Sequence, residues 1–197
     1  MTVPHLYEVV PSLALAIALA SCTGLRAWLP LLFTGALSRA GWIELGESYR
    51  FLGSNQALVL FTAATVIEIA ADKMPTVDHL LDAFSTVLRP AAGSLLAASV
   101  FWRVSDPLTA LALGVAVGAP SSLVPHAAKS AVRAVSTAFT AGLANPVLSL
   151  LEDAITLGLL VLAVLVAPLV VAAMGVLAFL ALRRLVRAHP RPPVPAA

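Results

Sequence analysis

The stretch Glu68-Ile69-Ala70-Ala71-Asp72-Lys73-Met74-Pro75-Thr76-Val77-Asp78-His79-Leu80-Leu81-Asp82 decides how the rest of the chain is read. It carries six ionisable side chains in fifteen residues. It follows residues 56–67, an uncharged run that reads as membrane helix. Charge inside or at the end of such a run is costly unless it faces protein or water. These groups are therefore the first candidates for whatever the chain does.

The wider composition makes the membrane reading general. Of 197 residues, 60% are hydrophobic and 11% charged, with a mean hydropathy of +0.96. Soluble domains carry about 25% charged residues. So little polar surface cannot cover so apolar an interior in water. The expected fold is all-α: a polytopic transmembrane helical bundle with broken or re-entrant helices. It forms one domain, residues 1–182, with roughly five to seven crossings at about 20 residues each. Residues 183–197 are a basic, proline-rich tail. Arg183, Arg184, Arg187 and Arg191 make it the strongest basic cluster, which assigns the C-terminus to the cytoplasm.

Elsewhere Lys and Arg are dispersed and the net charge is only +2, so no nucleic-acid partner is expected. One cysteine, Cys22, excludes an internal disulfide and any Cys-based zinc site. Leu19-Ala20-Ser21-Cys22 resembles a lipoprotein cleavage box. The segment before it has no Lys or Arg and contains Glu8, where a signal peptide needs a basic lead. Cys22 reads better as a small residue packing in a membrane helix.

Residues 11–38 are apolar except Arg26. At about 1.5 Å per residue the run is too long for one straight crossing of a roughly 30 Å core. Two half-helices meeting at a break near Gly24 are expected. Residues 39–55, with Trp42 and Tyr49, form an interfacial loop with a short helix. Residues 56–71 form a second membrane helix, stopped at Met74-Pro75. Thr76 or Asp78 caps the next helix, which Arg89-Pro90 ends. Residues 91–102 and 108–117 are apolar, Gly118-Ala119-Pro120-Ser121-Ser122 breaks the chain, and 123–139 is helical. Asn145-Pro146 interrupts, residues 147–154 follow, and 155–182 form a long helix kinked at Pro168 or two pieces.

Glu68 and Asp72 share a helix face at i, i+4. Two carboxylates close together in low dielectric cannot both ionise cheaply, so one tends to hold a proton or a cation. That is the chemistry of a proton relay or cation site, set against simple neutralisation by Lys73 or a base from another helix. Asp78, His79 and Asp82 are metal-ligand types. Asp78 is also a good helix cap and near neighbours point apart, so no metal or other cofactor is expected. His126, Lys129 and Arg133 fall on one face, and Glu152 and Asp153 are their acidic counterpart. They either neutralise one another within the bundle or line a polar pathway with Arg26, aided by helix ends. No P-loop, dinucleotide fingerprint, nucleophile elbow or HExxH is present, so no enzyme is expected.

The halves 11–90 and 91–182 look alike in outline. Each has an apolar half-helix, a small-residue break, a cation-bearing helix and then a helix with an acid, Glu68 or Glu152. An inverted repeat of this kind is the plan of many transporters.

Gly24-Leu25-Arg26-Ala27-Trp28-Leu29-Pro30, the Glu68-to-His79 motif, and Arg89-Pro90 before a small-residue helix together resemble DUF4126, a family of bacterial integral membrane proteins of unknown function. Asn145-Pro146-Val147-Leu148-Ser149-Leu150-Leu151-Glu152-Asp153 is similar to that family's second half. The resemblance covers roughly residues 12–170. It implies a multi-pass inner-membrane protein and supplies no activity.

The expected function is a small secondary transporter or channel-like protein moving an ion or small polar or anionic solute, with proton coupling. A lipid-phosphate binding or flipping protein, and a non-transporting scaffold or accessory subunit, are the alternatives. Expected partners are membrane lipids and the solute. Small membrane proteins often dimerise to complete a pathway, and a homo-oligomer stays open here.

Overall fold

The computed structural model describes residues 6–72 and 75–188, with side chains for 11–72, 84–166 and Arg183. The described residues form an all-helical fold. Helix α1 spans Leu6–Leu25, α2 Trp28–Arg39, and a short 3-10 helix Glu47–Gly53. Then come α3 (Asn55–Ala71), α4 (Pro75–Val100), α5 (Pro107–Thr140) and α6 (Asn145–Ala188).

The distribution of side chains on α5 shows the medium the fold is built for. Its buried residues are Ala110, Gly114, Gly118, Ser122, His126, Lys129 and Arg133, a single stripe at helical spacing. Its outward residues include Leu108, Val124, Val132, Val135 and Phe139, all more than half exposed. In water this arrangement would be inverted: the stripe inside is small or charged, and the face outside is aliphatic. In lipid it is favourable, because apolar side chains lose nothing by facing acyl chains and charges gain by facing one another. The fold and its apolar helices are those of a membrane protein.

α4 and α5 lie antiparallel, and α1 packs against both and against α6. Small residues set the separation. A Cβ built on Gly118 would come within 2.2 Å of the Gly93 carbonyl oxygen, and one on Gly114 within 2.4 Å of the Ser94 oxygen. Close backbone approach through Gly, Ala and Ser is how helices associate without a hydrophobic drive. At the other end Asp106 caps α5 by accepting from the Thr109 amide at 2.8 Å. The Thr109 hydroxyl, with that amide, holds the Asp106 carboxyl below its usual range.

α1 and α2 form a hairpin. The chain turns at Arg26-Ala27. Pro11, Ser12 and Leu15 at the start of α1 line one cavity of about 450 Å³ with Trp42, Ile43 and Glu44, just beyond α2. Both open ends of the hairpin therefore lie beside the α4–α5 turn, and its tip points into the bundle. The break expected near Gly24 is present, two residues later. The 3-10 helix and α3 make a second bent pair, at 58°.

Several expectations are corrected. Among the described residues two helices, Pro107–Thr140 and Asn145–Val166, are long and apolar enough to cross a membrane, and the bent pair would make a third. Much of the length goes into α5 and α6, of 34 and 44 residues. Arg89-Pro90 does not end a helix, since α4 runs through it. The Gly118-to-Ser122 stretch does not break the chain, and α5 continues through Pro120 and Pro125. Each correction has one cause. In an apolar medium a backbone that leaves the helix must find other partners, so an internal proline is absorbed. The Ser121 and Ser122 hydroxyls turn back to the Val117 and Ala119 carbonyls at 2.7 and 2.8 Å. With α5 continuous, the paired breaks that suggested two repeats are not paired.

Gly118→Ala is expected to destabilise the protein in detergent by about 1–3 kcal/mol, the usual effect of overpacking. Gly158→Ala, whose Cβ meets nothing within 4 Å, should be neutral or stabilising by up to about 1 kcal/mol. Thermal unfolding of the two variants checks this, and equal responses would contradict the close α4–α5 contact.

Candidate functional site

A chain that turns inside a bundle leaves helix ends without partners. At the hairpin tip α1 ends in orphan carbonyls and α2 begins with orphan amides. The structure satisfies both with charged side chains from elsewhere. The Arg89 guanidinium of α4 donates to the Gly24 carbonyl at 2.8 Å, and the Lys129 ammonium of α5 donates to the Leu25 carbonyl at 3.3 Å. On the α2 side, Ala27 has no cap from its own side chain. The Glu68 carboxylate of α3 replaces it, accepting from the Ala27 amide at 2.9 Å and the Trp28 amide at 3.2 Å. Pro30, in the first turn, removes a further orphan donor. Cations thus meet the negative end of α1 and an anion meets the positive end of α2.

Around this tip lies a network. Arg26, at the turn itself and fully buried, donates to the Asp72 carboxylate, to the Ser149 hydroxyl at 2.8 Å and to the Ser149 carbonyl at 3.1 Å. Its Nε lies 2.7 Å from Asp153 Oδ1, an ion pair off the hydrogen-bond axis. One oxygen of Asp72, Oδ2, takes the Arg26 contact together with Lys129 at 3.1 Å and Arg133 at 3.2 Å. Glu152 Oε2 takes Lys129 at 3.0 Å and Arg133 at 2.9 Å, while Oε1 accepts from Arg133 Nε at 3.1 Å. Glu68 Oε1 lies 3.9 Å from Arg89. His126 Nδ1 lies 3.0 Å from Arg89, and its Nε2 3.4 Å from the Thr86 hydroxyl.

Among the described residues the network is balanced. Four cations (Arg26, Arg89, Lys129, Arg133) face four acids (Glu68, Asp72, Glu152, Asp153), with His126 alongside. The cations are nearly inaccessible, while the Glu152 and Asp153 side chains keep 12% and 18% exposure. Depth follows from helix rise: Glu152 is about 10 Å from the start of α6, and Arg26 about 20 Å from Pro11, at about 1.5 Å per residue.

Of the residues singled out from sequence, Arg26, Glu68, Asp72, His126, Lys129, Arg133, Glu152 and Asp153 come together here. Asp72 is at the centre of the network, where one carboxylate oxygen meets three cations. Lys73 lies outside the described residues, as do the side chains of Asp78, His79 and Asp82. Sequence reasoning missed Arg89, read only as a helix terminator, and Ser149. A signal for Arg89 existed: it is the only charged residue between Asp82 and Arg103, and a lone charge in an apolar run has to face protein or water. Cys22 is buried in α1 as a packing residue.

Glu68→Ala should destabilise the protein by more than loss of a cap alone, about 0.5–2 kcal/mol, because Arg89 also loses its nearby anion. Amide exchange at Ala27 and Trp28 should rise in that variant more than exchange in α5. A uniform rise across the chain would contradict the capping role.

Compared with known proteins, residues 13–187 match the family model described as a domain of unknown function, DUF4126. Neither the curated proteins nor the solved structures give a match.

Proposed function

The chain belongs to the DUF4126 family, whose function is unknown, and we propose that it is a small secondary transporter or channel-like protein, with the hairpin tip as the place where the solute is held. The observation that carries this reading is the convergence of four cations and four acids on the tip of a hairpin that ends inside the bundle. Transporters use the same physics: broken helices expose backbone ends at mid-depth, and these ends bind charge. A purely structural bundle of this size could fill the same volume with apolar side chains at less desolvation cost.

The balanced charge count constrains the mechanism. Adding a bare anion or cation to a neutral cluster in low dielectric is costly. An anion therefore enters with a proton, or a cation enters as a proton leaves. The acids able to carry that proton are Glu152 and Asp153, which keep partial access to the outside. Movement is electroneutral. We place the protein in the bacterial inner membrane, with the basic end after α6 in the cytoplasm, and read it as a non-enzyme.

Reconstitution into liposomes tests the reading. Proton, chloride, acetate and inorganic phosphate fluxes are followed with and without a clamped membrane potential. At least one flux should exceed that of empty vesicles and be indifferent to the potential. Glu152→Gln and Lys129→Gln should each lower it by about tenfold or more, the effect of losing one charge-assisted contact, while circular dichroism stays helical. No flux above empty vesicles, or a flux untouched by both variants, would refute the proposal.

A further inference from the structure

Lys129, Arg133 and Arg26 all reach the same carboxylate oxygen, Asp72 Oδ2, from two separate parts of the fold. Three buried cations converge on one oxygen, and the same cations also meet Glu152 and Asp153. They form a cluster of donors around the Asp72 carboxylate, with Glu152 and Asp153 on its partly exposed side. We propose that this is an oxyanion-binding site for a carboxylate or phosphate group, and that Asp72 is its built-in competitor, displaced when the external anion binds.

Two further observations support exchange rather than a fixed pair. First, Asp72 is badly placed with respect to its own helix. It is the C-cap of α3, its amide bonded to the Glu68 carbonyl at 3.0 Å, and a carboxylate at a helix C-terminus is repelled by the helix dipole. Among the described residues, cations from other elements hold it. Second, Lys129 and Arg133 already bridge two carboxylates, Asp72 and Glu152, at 2.9–3.2 Å. Arg133 presents both Nε and a terminal nitrogen to Glu152, the forked arrangement that suits carboxylate and phosphate. An incoming oxyanion that takes the place of Asp72 finds the geometry already set by a carboxylate. The accessible approach is past Glu152 and Asp153, the partly exposed members of the cluster.

This inference names the solute class for the transport reading and rests on it for its physiological meaning, but binding alone tests it. Full-length protein in phosphatidylcholine nanodiscs is titrated with inorganic phosphate, and separately with acetate, against chloride at equal ionic strength. Thermal stability and calorimetry are the readouts. Saturable stabilisation by phosphate or acetate, absent with chloride, is expected. Asp72→Asn should bind the anion about tenfold more tightly or better, because its competitor is gone, and Arg133→Gln about tenfold more weakly. If Asp72→Asn does not fold without ligand, its recovery when purified throughout in phosphate is the same result. Equal affinity in wild type and Asp72→Asn, or no saturable effect in wild type from phosphate, acetate or phosphatidic acid, overturns the proposal.

A parallel arm uses nanodiscs containing phosphatidic acid and no free phosphate. Stabilisation only there identifies a lipid headgroup as the source of the oxyanion; stabilisation only by free phosphate or acetate identifies a soluble solute. Binding without flux would remove the transport reading and leave the site. Flux without Asp72-dependent binding would do the reverse.

Discussion

Everything in this molecule follows from the cost of holding charge away from water. Moving one carboxylate or guanidinium into low dielectric costs several kcal/mol even after relaxation. The protein does this about eight times in one small volume. The only arrangement that survives is one in which opposite charges meet at hydrogen-bond distance and sum to zero. That requirement fixes where the hairpin tip, the end of α3, the middle of α5 and the start of α6 must be relative to one another. It also explains why α5 has a charged inner stripe and an aliphatic outer face.

The hairpin and the network depend on each other. A helix that ends inside a membrane protein carries unsatisfied backbone groups that water cannot reach. Glu68, Arg89 and Lys129 satisfy them. In return, those backbone groups give the charged side chains partners beyond their ionic counterparts, which is what makes a buried charge tolerable. Glycines supply the remaining condition. With a side chain at Gly24, whose Cβ would sit 2.2 Å from the Ser122 oxygen, the tip could not approach α5 closely enough for Lys129 to reach it.

Much of this was legible in the chain. The class followed from composition, and the tip followed from an arginine in an over-long apolar run. The stripe His126, Lys129, Arg133 could be read as one face because helical spacing is a local property. What could not be read was how prolines behave. Arg89-Pro90 and Pro120 look like terminators by rules learned in water, where a broken backbone bond is replaced by solvent. In an apolar medium the helix continues, and three expected elements became parts of longer ones. Partner choice was equally hidden. Glu68 and Asp72 share a face, so their separation into a helix cap and a cation-bound carboxylate depends on which tertiary groups arrive. Arg89 was discounted because its neighbour drew attention as a breaker, although its isolation in an apolar stretch was the better clue.

One detail of the network has a mechanical meaning. Lys129 and Arg133 each grip Asp72, from the first half of the chain, and Glu152, from the second. A donor shared between two acceptors acts as a yoke. Loosening it from one shifts its pull to the other, and by reciprocity a disturbance entering at either end is felt with the same free energy at the opposite one. The end of α3 and the start of α6 are thus harnessed together through α5.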